Sequence, residues 1–138
     1  MTRVALSDAL RAQILQESRA AMPGECCGLV EGLRVEGISG EEWHIAALHP
    51  ARNLAPESDR FEIAPEDHFK AFKAARANHH SLIGCYHSHP NGRAEPSPAD
   101  RKGAGEENFL WLIAAGERLE AFVYRCGQFS GAGWLMPE

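Results

Sequence analysis

Residues 85–100 read CYHSHPNGRAEPSPAD, with two histidines one residue apart, a proline directly after them, and a polar turn that ends on an aspartate. On an extended segment, side chains at i and i+2 share a face, so His87 and His89 bring both imidazoles to one point while Ser88 points away. Pro90 stops strand pairing and NGRAEPSP reverses the chain. Asp100 then arrives in the first turn of a following helix as a third, anionic donor. Two histidines and a carboxylate suit a divalent ion. A catalytic zinc keeps three protein ligands plus one water, so this count leaves an open position. Cys85 shares strand parity with the histidines and is the natural fourth ligand of a closed site, although its apolar strand makes burial the simpler expectation. Ser97, Pro98 and Asp100 also satisfy the rules for a helix N-terminus: a serine cap, proline at the first helical position and an acid three residues on. The two readings are compatible.

Working outward, the strand SLIGCYH (81–87) and this turn sit in an alternating pattern of helices and strands. A VAL strand (4–6) precedes a helix over about 8–21, capped by Ser7 and Asp8, carrying Leu10, Ile14 and Leu15 at helical spacing and stopped by Pro23 and Gly24. CCGLVEG (26–32) and RVEG (34–37) read as a hairpin-like strand pair broken near Gly32 and Leu33, and EWHIAALHP (42–50) as a further strand. ARNLAPESDR (51–60) is predicted as a loop and FEI (61–63) as a brief strand. Pro65 opens a second helix, with Phe69 and Phe72 expected to face the core and Lys70, Lys73 and Arg76 to look outward. A short third helix begins at Ser97, followed by strands FLWLIAA (109–115) and LEAFVYR (119–125). The expected fold class is α/β, a single domain over 1–138 with a mixed sheet flanked by helices.

Composition narrows the function classes. The chain has 138 residues, 44% of them hydrophobic, enough to bury a core without disulfide staples. A net charge of -5 argues against a phosphate-tracking surface, so nucleic acid is not expected as a partner. The N-terminal stretch lacks the apolar core of a signal peptide and no later run approaches a membrane span, which predicts a cytoplasmic protein without a membrane partner. Cys26, Cys27, Cys85 and Cys126 form no CxxC pair and read as thiols, mostly buried. His79 and His80 fit an exposed turn, and His44, His49 and His68 need no function.

HSHP, six residues, then SPAD resembles the HxHPx6SxxD signature of the JAMM (JAB1/MPN/Mov34) metalloproteases, with every signature position filled. GECCGLVEG (24–32) resembles the family's glutamate-containing segment before its first core strand, and Arg52, Asn53 and FEIAP from Phe61 are also similar to family sequence. The resemblance implies a JAB1/MPN sandwich of the cytidine-deaminase-like kind. It also implies one Zn2+ per chain on His87, His89 and Asp100, with Glu25 as general acid/base and Ser97 stabilising the oxyanion. Glu25 is assigned by resemblance alone, since Glu31, Glu95, Glu106 and Glu107 are also acids. Asn53 could orient a loop or contact substrate backbone.

Members of that family cut peptide or isopeptide bonds at the C-terminal tail of ubiquitin-like proteins, and short bacterial relatives resemble processors of sulfur-carrier proteins. Few residues separate Leu54 from Phe61 or Arg101 from Phe109, which predicts a minimal, open cleft. An extended tail could add as a strand beside a sheet edge. The oligomeric state, a homodimer included, stays open. Three rival readings remain at this point. A phage-tail-assembly-type peptidase shares the order of ECCGL, RN, F and HSHP, and a non-catalytic MPN scaffold shares the fold. A mononuclear iron oxygenase shares the donor set, although the cupin type expects a glutamate closer to the histidines than Glu95. A zinc deaminase is disfavoured because its PCxxC segment is absent.

Overall fold

A computed structural model describes residues 1–55 and 59–135. The predicted loop residues 56–58 and the last three residues of the expected domain lie outside them. Strand β1 (Thr2–Ala5) leads into helix α1 (Asp8–Ala21), which starts where Ser7 accepts the Leu10 N–H at 3.2 Å and Asp8 meets the positive end of the helix. Ile14 is fully buried, with Leu10 and Leu15 packed beside it.

Strands β2 (Cys27–Gly37) and β3 (Gly40–Ala51) form one long antiparallel hairpin. The expected break near Gly32 and Leu33 is instead a bulge in a continuous strand. The register shifts between Glu31 and Gly32, and the chain turns only between Gly37 and Gly40, where φ at Gly40 is 129°. Gly32 allows this because the His44 carbonyl lies against its Cα, in space that any side chain would fill. FEI forms no strand: Ile63 makes a single bridge to Asn53.

Helix α2 (Pro65–Ala77) corrects a second expectation. Phe69 and Phe72 are 60% and 48% exposed, while Ala71 and Ala75 are the buried residues. Alanines four apart let the helix backbone sit close on the sheet, and the bulky rings are turned away from that narrow contact. Lys70, Lys73 and Arg76 are exposed as expected.

Strand β4 (Ser81–Ser88) pairs antiparallel with β2 and parallel with β5 (Phe109–Ala115), and helix α3 (Pro98–Gly103) makes the crossover between β4 and β5. Strand β6 (Arg118–Arg125) follows. A seventh strand that the sequence reading lacks, β7 (Gln128–Trp134), returns through a tight turn in which Cys126 and Gly127 both have positive φ. It pairs parallel with β1 and closes the sheet into a barrel in the order β1-β3-β2-β4-β5-β6-β7. The mixed sheet flanked by helices is therefore present, but it closes on itself.

Alternation along β2, β4 and β5 divides the apolar side chains between two clusters. Val30, Tyr86 and Leu112 pack with Ile14 of α1, and Leu29, Cys85 and Trp111 pack with Ala71 of α2. No helix among the described residues is long and apolar enough to cross a membrane. The four cysteines are free; Cys27 and Cys85 are buried, Cys26 half-buried and Cys126 exposed.

The closeness of β4 to β5 gives a direct test. A Cβ on Gly84 would collide with the Leu110 carbonyl oxygen. Gly84→Ala is expected to cost about 2 kcal/mol, lowering the melting temperature by roughly 5 to 8 °C. Gly105→Ala, where a Cβ meets open space, should shift it by no more than about 1 °C in the same calorimetric scan.

Candidate metal centre

The site forms where β4 ends against α3. His87 is within the strand and His89 just past it, held by a hydrogen bond from the His89 N–H to the Ala114 carbonyl at 2.8 Å. Ser88 turns to the opposite side, where its Oγ accepts the Cys26 N–H at 2.9 Å. Asp100 is fixed by a capping box: Ser97 Oγ accepts the Asp100 N–H at 3.0 Å, and Asp100 Oδ2 accepts the Ser97 N–H at 2.9 Å. The capping box is the one the sequence spacing predicts, and it leaves the Asp100 carboxylate against the two histidines.

His87 Nε2, His89 Nε2 and Asp100 Oδ2 converge, with separations of 3.0 Å between the two nitrogens and 3.1 and 3.0 Å from them to the carboxylate oxygen. Three donors at tetrahedral corners around a zinc ion, about 2.0–2.1 Å from it, lie roughly 3.3 Å apart. The triangle therefore needs to open by only a few tenths of an ångström. Its chemistry also asks for a cation. His89 Nδ1 lies 2.7 Å from the Arg93 carbonyl, which can only accept, so that nitrogen carries the proton and a neutral His89 presents a bare lone pair at Nε2. Lone pairs of this kind crowded against a carboxylate are stable only around positive charge.

Glu25 enters from the segment before β2. Its side chain offers an oxygen that, with a ring nitrogen of His87 and one of His89, falls in a set whose members all lie within 4.8 Å of one another. Glu25 thus forms one possible trio with the histidines, but Asp100 touches both ring nitrogens at 3.1 and 3.0 Å, so the contact distances favour Asp100 as the third donor. Glu25 is 4% exposed, and its Oε1 has no hydrogen-bond partner among the described residues. That orphaned oxygen lines a cleft of about 600 Å³ together with Met22, Asp59, His89, Asn91 and Ser97. Buried His87 Nδ1 is likewise unpartnered, in a ring stacked on Phe61 at 4.3 Å and edge-on to Trp111.

The electrostatics divide the acids by role. Burial pushes the Glu25 carboxyl up to about 7; His89 opposes this, and Asp100 and Asp59 add to it. Asp100 goes the other way: burial opposes ionisation, but the bonds to His87 and His89 and the Ser97 N–H hold it well below the usual carboxylate range. Burial lowers the pKa of His87, whereas at His89 burial is outweighed by Asp100 and the Arg93 carbonyl, which raise it.

All five predicted site residues are thus brought together. Cys85 is drawn instead into the apolar cluster with Trp111 and is no fourth ligand. Glu31, another candidate acid, is fully buried on β2 and satisfied by His49 at 2.8 Å, His80 at 2.6 Å and Asn78 at 3.0 Å, so His49 and His80 have a structural task the sequence did not reveal.

Comparisons with known proteins identify the family. Residues 7–126 match a family model described as prokaryotic homologs of the JAB domain. The chain is similar to a Desampylase of Haloferax volcanii, 29% identical over 83% of this chain and 81% of the relative. It is also similar to a probable TtuB-protein conjugate cleaving protease of Thermus thermophilus, 35% identical over 83% and 74%. The solution structure of a protein from Desulfitobacterium hafniense superposes with a TM-score of 0.84 at 25% identity, covering 98% of this chain and 93% of that one.

The raised Glu25 pKa fixes a sign for stability. An unfolded carboxyl ionises near 4.5 and the folded one near 7. Ionising it in the fold therefore carries a cost that is absent below pH 4.5, grows between those values and is complete above pH 7. Glu25→Gln is expected to stabilise the metal-free protein by up to about 3 kcal/mol at pH 8, with the gain vanishing by pH 4.5. Thermal melts in chelator across that range check it.

Proposed function

Because the chain belongs to the prokaryotic JAB family, we propose that it acts, as one domain, as a zinc-dependent peptidase or isopeptidase of JAMM type, cutting an amide bond at the C-terminal tail of a ubiquitin-like or sulfur-carrier protein. The observation that carries this is the meeting of His87, His89 and Asp100 beside a buried, unpartnered Glu25 at the wall of an open cleft. The names of the Haloferax and Thermus relatives, one a Desampylase and the other a conjugate-cleaving protease, support a protein conjugate as substrate.

His87, His89 and Asp100 would hold the ion. A bound zinc supplies Lewis acidity and makes a water ionisable near neutral pH. Glu25 suits the proton transfers, because a carboxyl with a pKa near 7 can take a proton from the attacking water and give it to the departing nitrogen. Amide hydrolysis needs both transfers, since an amine leaves only when protonated. The Ser97 oxygen already accepts the Asp100 N–H, which leaves its hydroxyl proton free to donate to the carbonyl oxygen as negative charge develops there.

Barrel closure limits the expected strand addition: every strand has neighbours on both sides over part of its length, although β3 past His44 is paired only with β2. Residues 52–55 and 61–64 offer a further edge. Leu54 N–H donates to the Glu62 carbonyl, Glu62 N–H donates to Asn53, and Ala64 N–H donates to the Arg52 carbonyl. Alternation then turns the peptide groups of Phe61 and Ile63 the other way. Both residues line a cavity of about 240 Å³ that also includes Trp111 and Asp100. A tail paired along this edge would lead toward the metal centre.

Wild type is expected to bind one zinc per chain and to cut ubiquitin-like proteins extended beyond, or lysine-linked at, a terminal Gly-Gly, followed by intact mass. Glu25→Gln should keep the zinc and lose activity by about 100-fold or more, and His87→Ala should lose the zinc. Cleavage that survives Glu25→Gln removes the proposed base. Ser97→Ala should lower kcat by about 100-fold and stability by about 1 kcal/mol through the lost cap, while keeping metal, because Asp100 still accepts the Ser97 backbone N–H.

A further inference from the structure

Glu25 reaches the centre without a hydrogen bond to Oε1, so the position of its carboxylate depends on how its backbone is held. The peptide unit joining Glu25 to Cys26 is gripped at both ends. Its carbonyl accepts a hydrogen bond from Asn53 Nδ2 at 3.0 Å, and its N–H donates to Ser88 Oγ at 2.9 Å. Ser88 stands between the two histidines in sequence, which references this peptide plane to the strand that carries them. The other end of the Asn53 amide faces the opposite way: Oδ1 accepts the Ala55 N–H and the Glu62 N–H, each at 2.9 Å. These two bonds tie Ala55 and the Phe61–Ile63 edge to the same side chain.

We propose that Asn53 is a positioning residue that couples the Phe61–Ile63 edge to the Glu25 proton shuttle. This rests on the reading of Glu25 as the base and of that edge as the tail-binding strand. A carboxamide is planar, with a donor at one end and an acceptor with two lone pairs at the other; here the donor end serves the Glu25 carbonyl at 3.0 Å, with a longer contact to the Arg60 carbonyl at 3.5 Å, and the acceptor end serves Ala55 and Glu62. Displacing the edge therefore pulls on the peptide unit that aims Glu25, and a bound tail that orders the edge steadies the base. No other side chain of similar size supplies both ends in one rigid plane. Aspartate has only acceptors, so Asn53→Asp keeps the bonds from Ala55 and Glu62 and sets an acceptor against the Glu25 carbonyl. Alanine removes everything.

The experiment separates the two arms. Cleavage of a Gly-Gly-extended ubiquitin-like protein is measured where kcat no longer varies with pH, so that the added charge of Asn53→Asp cannot act through Glu25 ionisation. Binding of an uncleavable tail peptide is measured by calorimetry in the Glu25→Gln background. Asn53→Asp is expected to lower kcat about ten-fold or more, as misplacement of a reacting group does, with KM and peptide Kd within about two-fold of the parent and zinc retained. Asn53→Ala is expected to lower kcat and also to raise KM and Kd by about five-fold or more. A simple loop staple would change melting temperature and KM but leave kcat, so an Asn53→Asp kcat within about two-fold of wild type overturns the proposal. Should wild type cut no conjugate, the peptidase reading fails by itself, and the grip on Glu25 is judged by amide hydrogen exchange. Exchange at Cys26 should accelerate about ten-fold in Asn53→Asp while Ala55 and Glu62 stay protected, and unchanged Cys26 exchange overturns the proposal.

Discussion

Two imidazole nitrogens and a carboxylate oxygen about 3 Å apart, in a region almost closed to water, repel one another unless positive charge stands among them. Much of the surrounding structure holds them there in spite of that. The Ala114 carbonyl and the Arg93 carbonyl fix His89, the stacked Phe61 ring fixes His87, and the capping box of α3 fixes Asp100. The parallel pairing of β4 with β5 places the crossover helix so that its first turn meets the end of β4. Each restraint is an ordinary element of secondary structure, and the site is what remains where three of them end together.

The same environment sorts two acids of similar intrinsic strength into different tasks. Asp100 lies against the two rings, accepts a backbone N–H and is held ionised, whereas Glu25 has an oxygen without a donor among the described residues and burial raises its pKa to about 7. Under the proposed function, this is the division a metal ligand and a proton shuttle would require. Glu31 shows a third outcome: buried completely but given three donors, it is ionised and fixed. Location alone does not determine what a buried carboxylate does; the count of donors does.

The cluster of His87, His89 and Asp100 was legible because its parts are local. Alternation in a strand, a proline stop and a helix-capping pattern are all contained within residues 85–100, so spacing dictates geometry there. Glu25 was not legible in that way, since only the register of β2 against β4 brings residue 25 to the histidines, and the residue types alone do not distinguish it from Glu31. The phenylalanines of α2 misled because helical spacing identifies a stripe but not which side of the stripe lies deepest, and the contact proved narrow enough to select Ala71 and Ala75. Strand β7 was missed because QFSGAGW is poor in apolar residues, and its pairing with β1 depends on a partner at the other end of the chain. The break expected at Gly32 followed from treating glycine as a turn signal, where here it accommodates a neighbouring carbonyl inside a strand.

The parallel contact of Arg3 and Val4 with Gly133 and Trp134 has a consequence for how the molecule is assembled. During synthesis β1 emerges long before β7, so it waits with one flank bare until residues 128–134 have left the ribosome. Ring closure over so many residues is slow in chains of this size, and the waiting flank is the type of surface on which neighbouring nascent chains stick together. Chaperone dependence in the cell should therefore concentrate in the interval before β7 emerges, after the turn that carries His87 and His89 has already been made.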